Sequence, residues 1–482
     1  MPSNHRLLAL VTLVASSIAL YFGMGLHPFW WLMWLAPIPV LAAASRLSRG
    51  SAFIIAFLAW TIGGLNLWNY YHTVLHIPLA VAMVIILGPA LLFAIDVILY
   101  RAFLPISLWS AALIFPSFWV LCEFINTRTS PHSTAGSIAY SQMNFPPILQ
   151  IASVTGILGI TFCLFLFAST VGALLSGYGT ASQRRNLAAV AIVLAAAILG
   201  VGLWRLYAIP PTQNTIAVGL VASDLPQNIL AEQPADVLRL MHEYAAQAEL
   251  LAAKGAKVVV IPEKVAVVGD SDMPEVDALF KSAAAGSGVT IVVGIVHPSA
   301  PNRWNEARVY SPDGVVRTYE KHHMVPIFES KDLTPGTTRT TWQESSGTWG
   351  TAICKDMDFP DLSRQYGEEA VGLMLVPAWD FEVDGWLHGR TGILRGVESG
   401  FSIARSAKEG ILTVTDATGR VLAERQSNSA PFAKLVANVP VRHLSTIYAR
   451  FGDWFAWLDI LLFAVLVTAS LFRKPGSGRS QS

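Results

Sequence analysis

The sequence contains little charge and few cysteines. Only 13% of its 482 residues are charged, whereas a soluble domain carries roughly 25%, so part of this chain is expected to lie in lipid. The net charge of +1 gives no reason to expect a nucleic acid as a partner. The 3 cysteines are too few for a disulfide framework, and two of them, Cys122 and Cys163, lie inside apolar runs.

Long apolar runs fill the first 208 residues and return near the end of the chain. A window of about 20 apolar residues can span a bilayer. Seven such windows precede residue 208 and one follows later, at 6–24, 28–45, 52–71, 78–100, 104–124, 147–178, 187–207 and 454–472. The first part of the sixth window, from Pro146, is interpreted as an extracytoplasmic or re-entrant piece before the span itself.

Basic residues concentrate in alternate short loops between these windows. They are Arg6, Arg46, Arg49, Arg101, Arg184 and Arg185, followed by Arg473, Lys474 and Arg479 after the last window. Short loops rich in Lys and Arg face the cytoplasm, so both termini are predicted to be cytoplasmic. The predicted domains are a seven-span transmembrane domain (1–208), an extracytoplasmic catalytic domain (209–452), a closing transmembrane helix (453–472) and a cytoplasmic tail (473–482).

The segment after Asn214 alternates short β-rich runs with amphipathic stretches. Strands are predicted at 215–221, 257–261, 290–296, 307–310, 315–319, 350–353 and 373–376, and helices at 235–255, 273–286 and 384–399. Such alternation indicates an α/β layered fold. The turn residues Pro312-Asp313-Gly314 predict a β-hairpin between the fourth and fifth strands.

Three reactive side chains each follow a predicted buried strand, where active-site groups of α/β sheets tend to collect. Glu263 follows the strand at 257–261, and a carboxylate that loses hydration there can act as a general base. Lys321 follows the second hairpin strand and can stabilise an oxyanion or a neighbouring thiolate. Cys354 ends the strand at 350–353 at a polar turn, a position that suits a nucleophile.

Neighbouring residues and simpler interpretations also bear on these three positions. Lys355 is predicted to lower the pKa of the Cys354 thiol. His322 and His323 suggest a metal at first sight, but no further Cys or His lies at ligand spacing nearby, so no metal is expected. Taken singly, Glu263 is typical of acidic loop residues in general, and Cys354 fits a buried, inert thiol equally well.

Taken together, the three positions resemble the signature of the nitrilase superfamily. A Glu after a strand is followed by a Lys after a hairpin, and then by a Cys at a strand end with an acidic residue and Phe359-Pro360 after it. The resemblance implies an α-β-β-α sandwich with Cys354 as nucleophile, Glu263 as general base and Lys321 as oxyanion stabiliser. No cofactor is expected.

The apolar segments narrow this resemblance to the apolipoprotein N-acyltransferase family. The stretches that are similar to this family, besides the triad, are 29–32, 36–39, 156–160, 325–329 and 448–454. The resemblance implies that Glu329 assists catalysis. It also implies a multi-pass protein of the bacterial inner (plasma) membrane with its catalytic domain on the periplasmic side. A phospholipid would be the acyl donor, a Cys354 thioester the intermediate, and the N-terminal amine of a lipoprotein the acceptor, with the lipid bilayer as a further partner.

Five further residues are predicted to bind substrate. Trp379, Phe381 and Trp386 are interpreted as a mobile lid that dips into lipid, although ordinary packing explains aromatic residues equally well. Lys355 and Asp356 complete the set, and they stand where the family has Tyr-Glu. Other departures from the family pattern lie at 126–141, 221–224 and 406–411, the last replacing an Asn-Thr-Gly-Ile-Ser-like stretch.

Other functions stay open on sequence grounds. A membrane-tethered amidase of the same superfamily would pass the acyl group to water, and a divergent acyltransferase would use another amine acceptor. A scaffold that has kept the fold without the chemistry is opposed by the intact Glu/Lys/Cys set. A transporter is opposed by the scarcity of ionisable residues in the spans, where Asp96 and Glu123 are the main ones and are expected in helix packing or at the interface.

Overall fold

The computed structural model describes residues 2–209 and 214–472, and these residues form two compact units. A helical unit comprises residues 2–130, 134–206 and 453–472, and an α/β unit comprises 131–133, 207–209 and 214–452. The predicted cytoplasmic tail, 473–482, lies outside the described residues. The side of the membrane on which each unit lies stays a prediction.

Seven helices of the described chain are long and apolar enough to cross a membrane. They are Pro2–Gly23, Arg49–Gly64 with its continuation to Leu67, Leu79–Phe103, Leu108–Thr129, Ile157–Leu175, Ala181–Ala208 and Trp454–Phe472. Each coincides with one of the apolar windows, because a run of apolar side chains this long can bury its backbone polar groups only as a helix. The predicted membrane bundle is therefore confirmed at the level of helix length and composition.

Two predicted windows differ from single long helices. The window at 28–45 consists of two short helices, Trp30–Leu35 and Ile38–Ala44, which are interrupted at Pro37, so it is not one of the seven long helices and its crossing of the membrane stays a prediction. The window at 147–178 begins with two single turns, Pro146–Leu149 and Ala152–Thr155. Its long helix starts only at Ile157, after Gly156 at φ 71°.

The two acidic residues expected in helix packing are both enclosed by the helical unit. Asp96 is fully buried. Glu123 accepts hydrogen bonds from the hydroxyls of Ser137 and Thr161, and the bond from Thr161 is 3.3 Å long. These partners agree with the packing role that the sequence suggested.

The α/β unit contains two six-stranded sheets. In chain order the strands are β1 Thr215–Ala222, β2 Val258–Val260, β3 Thr290–Ser299, β4 Asn302–Tyr310, β5 Val316–Glu320, β6 Thr340–Glu344, β7 Gly347–Thr351, β8 Leu373–Trp379, β9 Ser402–Lys408, β10 Ile411–Thr415, β11 Val421–Gln426 and β12 Ala433–Pro440. The strand orders are β12-β1-β2-β3-β4-β5 and β11-β10-β9-β8-β7-β6. In each sheet three neighbouring strands are parallel, β1-β2-β3 and β7-β8-β9, and the rest pair antiparallel.

Alternation along the buried strands creates two cores. In β2, Val258 and Val260 point into a core shared with the second sheet, whereas Val259 points into a second core against two helices. Those helices are Pro234–Ala253 and Met273–Ser287. On the second sheet, the helices Pro360–Glu368 and Gly385–Ser399 lie beside β7–β10. The predicted α-β-β-α sandwich is confirmed, and so are the predicted hairpin and all three predicted helices, to within a few residues.

Candidate active site

The turn after β7 presents Cys354 in a strained backbone conformation. Cys354 has φ 41°, a left-handed value that non-glycine residues rarely adopt, and it begins a short 3-10 turn that ends at Asp358. Asp356 closes this turn, because its carboxylate accepts a hydrogen bond from the Ile353 N–H at 3.1 Å. The Cys354 Sγ lies 3.5 Å from the carbonyl oxygen of Trp379, the last residue of β8.

Lys321 lies between two buried carboxylates. Its Nζ is 2.8 Å from Glu263 Oε1 and 2.8 Å from Glu329 Oε2, and all three side chains are almost completely buried. Asn305 Nδ2 donates to the same Glu263 oxygen at 2.7 Å, and the Lys264 ammonium pairs with Glu329. The structure therefore brings together Glu263, which follows β2, Lys321, which follows β5, and Glu329, which lies in the loop after Lys321.

Backbone hydrogen bonds fix both ends of this group. The Lys321 N–H donates to the carbonyl of Asn305 at 2.8 Å, which continues the β4–β5 ladder by one residue. The Glu263 N–H donates to the carbonyl of Ala378 at 3.3 Å and so connects the end of β2 to β8 in the other sheet. The carboxylate of Glu329 accepts from the Val325 N–H at 2.8 Å, which closes the loop between Lys321 and Glu329.

The charges of this group are mutually stabilised. Burial alone would lower the pKa of Lys321, but the carboxylates of Glu263 and Glu329 outweigh burial and raise it above its ordinary value. Burial alone would raise the pKa of Glu329, but the ammonium groups of Lys321 and Lys264 lower it to about 2. The Lys321 ammonium and the Glu329 carboxylate thus stay ionised throughout the neutral range.

The Cys354 thiol is protonated in this environment. Its side chain is only partly exposed, and burial together with the negative charge of Glu263 raises its pKa above the ordinary value. Lys321 and Arg405 act in the opposite direction without cancelling this effect, and Asp380 adds to it. A nucleophilic role for this cysteine therefore requires a base that removes the proton during attack.

The two residues after Cys354, Lys355 and Asp356, both have partners within the protein. The Lys355 Nζ lies 3.3 Å from His132 Nδ1 and 3.2 Å from Asp358 Oδ2, so its charge is directed to these partners and not to the thiol. Asp356 is completely buried, and its carboxylate accepts hydrogen bonds from the Tyr319 hydroxyl and from the backbone N–H groups of the two histidines after Lys321. Both side chains bind partners within the protein, and their role in substrate binding stays a prediction.

The three aromatic candidates occupy different environments. Trp379 lies closest to the thiol and donates from its indole Nε1 to Glu409 at 2.6 Å. Phe381 packs against Phe328, with ring centroids 5.4 Å apart. Trp386 lies on the helix Gly385–Ser399, where the Arg390 guanidinium is 5.2 Å from its ring centroid. Contacts thus connect Trp379 to the candidate site, whereas Trp386 contacts its own helix.

A second buried ion network beside Cys354 was not predicted from the sequence. The Arg405 guanidinium on β9 binds both oxygens of Asp380, at 2.9 and 2.5 Å, and His388 Nδ1 lies 3.3 Å from Asp380 Oδ1. Burial would raise the pKa of Asp380, but Arg405 lowers it. Burial would lower the pKa of His388, but Asp384 and Asp380 raise it to about 9. The signal available in the sequence was an Arg between the small residues Ala404 and Ser406 of β9.

Exposed apolar side chains surround the entrance loops of the site. Ile327 and Phe328 lie between Lys321 and Glu329, and they are 65% and 47% exposed. Val383 follows Phe381 and is 42% exposed. Ile327 adopts φ 73°, which is strained for a β-branched residue. Apolar surface beside reactive polar groups suits an apolar substrate better than a small polar one.

Comparison with known proteins assigns the two units to one family. A family model described as apolipoprotein N-acyltransferase N-terminal domain matches residues 16–170, and one described as carbon-nitrogen hydrolase matches residues 220–429. An apolipoprotein N-acyltransferase from Geobacter metallireducens is 24% identical, over 98% of this chain and 96% of its own length. The chain belongs to the apolipoprotein N-acyltransferase family.

Further relatives of this family agree with that assignment. An apolipoprotein N-acyltransferase from Brucella melitensis is 26% identical, over 85% of this chain and 77% of its own length. Among solved structures, an amidase from Nesterenkonia sp. matches 52% of this chain and 98% of its own chain, with 20% identity and a TM-score of 0.41. The family models and the curated relatives confirm the family resemblance inferred from the sequence, whereas the roles of individual site residues stay predictions.

Proposed function

We propose that this protein is an N-acyltransferase that moves an acyl chain from a phospholipid, through a thioester on Cys354, to the N-terminal amine of a lipoprotein. The observation that supports this most strongly is the buried Lys321 ammonium, held between Glu263 and Glu329 beside a protonated thiol. This arrangement supplies a nucleophile, a base and a fixed positive charge in one place.

In the proposed first half-reaction, Glu263 accepts the thiol proton while Cys354 Sγ attacks the ester carbonyl of the phospholipid. The negative charge that develops on the carbonyl oxygen is stabilised by the Lys321 ammonium. The ester C–O bond then breaks, Glu263 returns the proton to the leaving alkoxide, and a lysophospholipid departs. Glu329 holds Lys321 in place without itself taking part in proton transfer, since its low pKa makes it a weak proton acceptor.

In the proposed second half-reaction, the N-terminal amine of the acceptor attacks the thioester carbonyl. A C–N bond forms and the C–S bond breaks. The amine loses its proton to Glu263, which passes it to the departing thiolate, so the resting enzyme is regenerated. The same base and the same cation thus serve both halves, in opposite order.

The lipid substrates imply where the reaction takes place. We infer that the protein resides in the bacterial inner membrane with its catalytic unit on the periplasmic side. The seven long apolar helices support a membrane location. The exposed side chains of Ile327 and Phe328, together with Phe381, are suited to contact acyl chains, and Trp379 would form the wall next to the thioester.

An acyl-transfer assay would test the proposal. It combines the full-length protein in detergent, a phospholipid with labelled acyl chains, and a diacylated lipopeptide with a free N-terminal cysteine amine. We expect the label in amide linkage on the lipopeptide, measured by mass spectrometry. Cys354→Ser should abolish the product, and Cys163→Ser, a matched change of an apolar-run cysteine, should leave it unchanged. A lipopeptide with an acetylated N-terminus should receive no label.

The same assay separates the proposal from its alternatives. Release of the label only as free acid would indicate an amidase or another hydrolase. Label on a different amine, but not on the lipopeptide, would indicate an acyltransferase with another acceptor. Product formation that survives Cys354→Ser would contradict the proposed role of the thiol.

A further inference from the structure

Lys408, at the end of β9, is a completely buried lysine without a carboxylate partner. No acidic side chain of the described residues forms an ion pair with it. Burial, together with the ammonium of Lys264, lowers its pKa well below the ordinary value. Because a buried amine without a counter-ion is costly, its presence beside reactive residues calls for a physical explanation.

The Lys408 side chain reaches three partners. Its Nζ donates to the backbone carbonyls of Ile229 and Lys264, the latter at 2.8 Å. It also lies 3.8 Å from the centroid of the Trp379 ring. An amine or ammonium group can donate to both carbonyls, and the charged form adds a cation–π contact with the indole.

These partners lead directly to the candidate catalytic residues. Lys264 follows Glu263 and adopts φ 48°, so the carbonyl that Lys408 holds belongs to a strained turn after the proposed base. The carbonyl of Trp379 lies 3.5 Å from Cys354 Sγ. The next residue, Glu409, holds the other edge of the same indole through its 2.6 Å contact with Nε1.

We propose that Lys408 is a positioning residue that connects the turn after Glu263 to Trp379. It thereby fixes the position of the proposed base, Glu263, relative to Trp379, which lies next to the Cys354 thiol. It contacts neither the proposed reacting atoms nor the substrate, and it acts through these two neighbours. The inference rests on the proposed function. Lys408 belongs to the stretch 406–411 that departs from the family pattern, so the family resemblance assigns it no role.

Lys408→Met tests this role, because it keeps the length of the side chain and removes the donors. We expect single-turnover acylation of Cys354 to fall about 10- to 100-fold, with the half-saturating phospholipid concentration changed less than about threefold, since small misplacements of catalytic groups act on the chemical step. The matched control Lys254→Met changes an exposed lysine of the same unit and should leave the rate unchanged.

A double-mutant cycle distinguishes positioning from a general loss of stability. If Lys408 acts through Trp379, the double variant Lys408→Met/Trp379→Leu should reduce the acylation rate by less than the product of the two single-variant reductions. Rates are expressed per folded enzyme, with folding measured by thermal shift. An unchanged rate per folded molecule, or two effects that simply multiply, would overturn the proposal even if the melting temperature falls.

A readout independent of acyl transfer keeps the two proposals separable. A loosened Trp379 exposes the thiol, so alkylation of Cys354 at fixed pH should accelerate at least about threefold in Lys408→Met and not in Lys254→Met. If the wild-type protein forms no acyl adduct, the proposed function fails. The alkylation rate of Cys354 then tests by itself whether Lys408 positions Trp379. Equal alkylation rates in both variants would then contradict the positioning role.

Discussion

Two buried ion networks lie near Cys354, and they differ in whether they contain a carboxylate that is available to accept a proton. In the first, one cation, Lys321, is shared by two carboxylates. In the second, one carboxylate, Asp380, is shared by Arg405 and His388. The Lys321 network has a proton acceptor in Glu263. The Asp380 network is closed by a two-oxygen contact with Arg405 and has no oxygen free for proton transfer.

The difference suggests separate tasks for two groups of similar burial. In the proposed mechanism the first network carries the reaction, because the charges of Glu263 and Lys321 both act on the thiol. The second sets the electrostatic background of the same thiol, which Asp380 and Arg405 influence in opposite directions. The comparison predicts that the two networks respond differently to equivalent substitutions.

The largest expected effect belongs to the shared cation. Lys321→Met removes the proposed oxyanion stabiliser, leaves the buried Glu263 carboxylate without its cation, and leaves Glu329 with Lys264 alone. Acylation of Cys354 should fall at least about 1000-fold, and the fold should lose about 3–5 kcal/mol. Single-turnover mass spectrometry and thermal unfolding measure the two effects. Lys281→Met, an exposed lysine, is the control, and a variant of Lys321 that keeps a tenth of the wild-type rate would contradict the assignment.

Substitutions in the second network should shift the pKa of the Cys354 thiol without abolishing its acylation. Asp380→Asn should lower the apparent pKa of Cys354 by about one unit, and Arg405→Met should raise it by a similar amount, since the two charges act on the thiol with opposite sign. Acylation per folded molecule should fall only about 10- to 100-fold in each variant. The pH dependence of Cys354 alkylation, measured on its peptide, gives the pKa. Shifts of equal sign would show that this network does not act through charge.

The sequence predicted the first network and missed the second for a physical reason. Glu263, Lys321 and Cys354 each end a strand, and strand ends are visible in the sequence as apolar runs that stop at a reactive group. Arg405 and Lys408 lie within β9, where four of the seven residues are polar and suggest a partly exposed strand, although every residue of β9 is buried. Only the packing of the second sheet against its neighbours decides that these charges lie inside.

The errors near Cys354 have a similar origin. The prediction that Lys355 acts on the thiol assumed that sequence neighbours face each other, but the 3-10 turn directs its side chain to His132 and Asp358. Nothing in the sequence indicated that the Asp356 carboxylate is completely buried. Spacing along the chain indicates which backbone segments meet, but the direction of a side chain in a tight turn depends on contacts distant in sequence.

A moderate effect is expected for the histidine of the second network. His388 has a pKa of about 9 in the fold and an ordinary value of 6.5, so its protonated form stabilises the fold. Asp380, Asp384 and Asp358 are the charged groups that raise this pKa. The contribution is fully present below pH 6.5 and is lost as the pH rises through 9.

His388→Gln should remove this part of the pH dependence. The wild-type melting temperature should fall between pH 6.5 and 9, and the variant should show a flatter profile over the same interval. His242→Gln, which changes an exposed histidine, serves as the control and should retain the wild-type profile. Parallel profiles for wild type and His388→Gln would contradict the stabilising charge.

The smallest effect is expected at Lys355, which is adjacent to the nucleophile in sequence but not directed at it. Lys355→Met should change the acylation rate by less than about threefold and the apparent pKa of Cys354 by less than about 0.3 unit, because the ammonium is already paired. The same two assays apply. A loss comparable to that of Lys321→Met would show that the ammonium of Lys355 takes part in the reaction.

The most direct test of the central claim is the detection of the thioester itself. Full-length protein is incubated with labelled phospholipid and no acceptor, digested, and searched by mass spectrometry for an acyl group on the Cys354 peptide. The proposed mechanism predicts one acyl chain on Cys354 that neutral hydroxylamine removes, with no acyl group on Cys122 or Cys163 and none on Cys354 in Glu263→Gln. An unmodified Cys354 in a preparation that forms acylated lipopeptide once the acceptor is added would contradict the proposed mechanism.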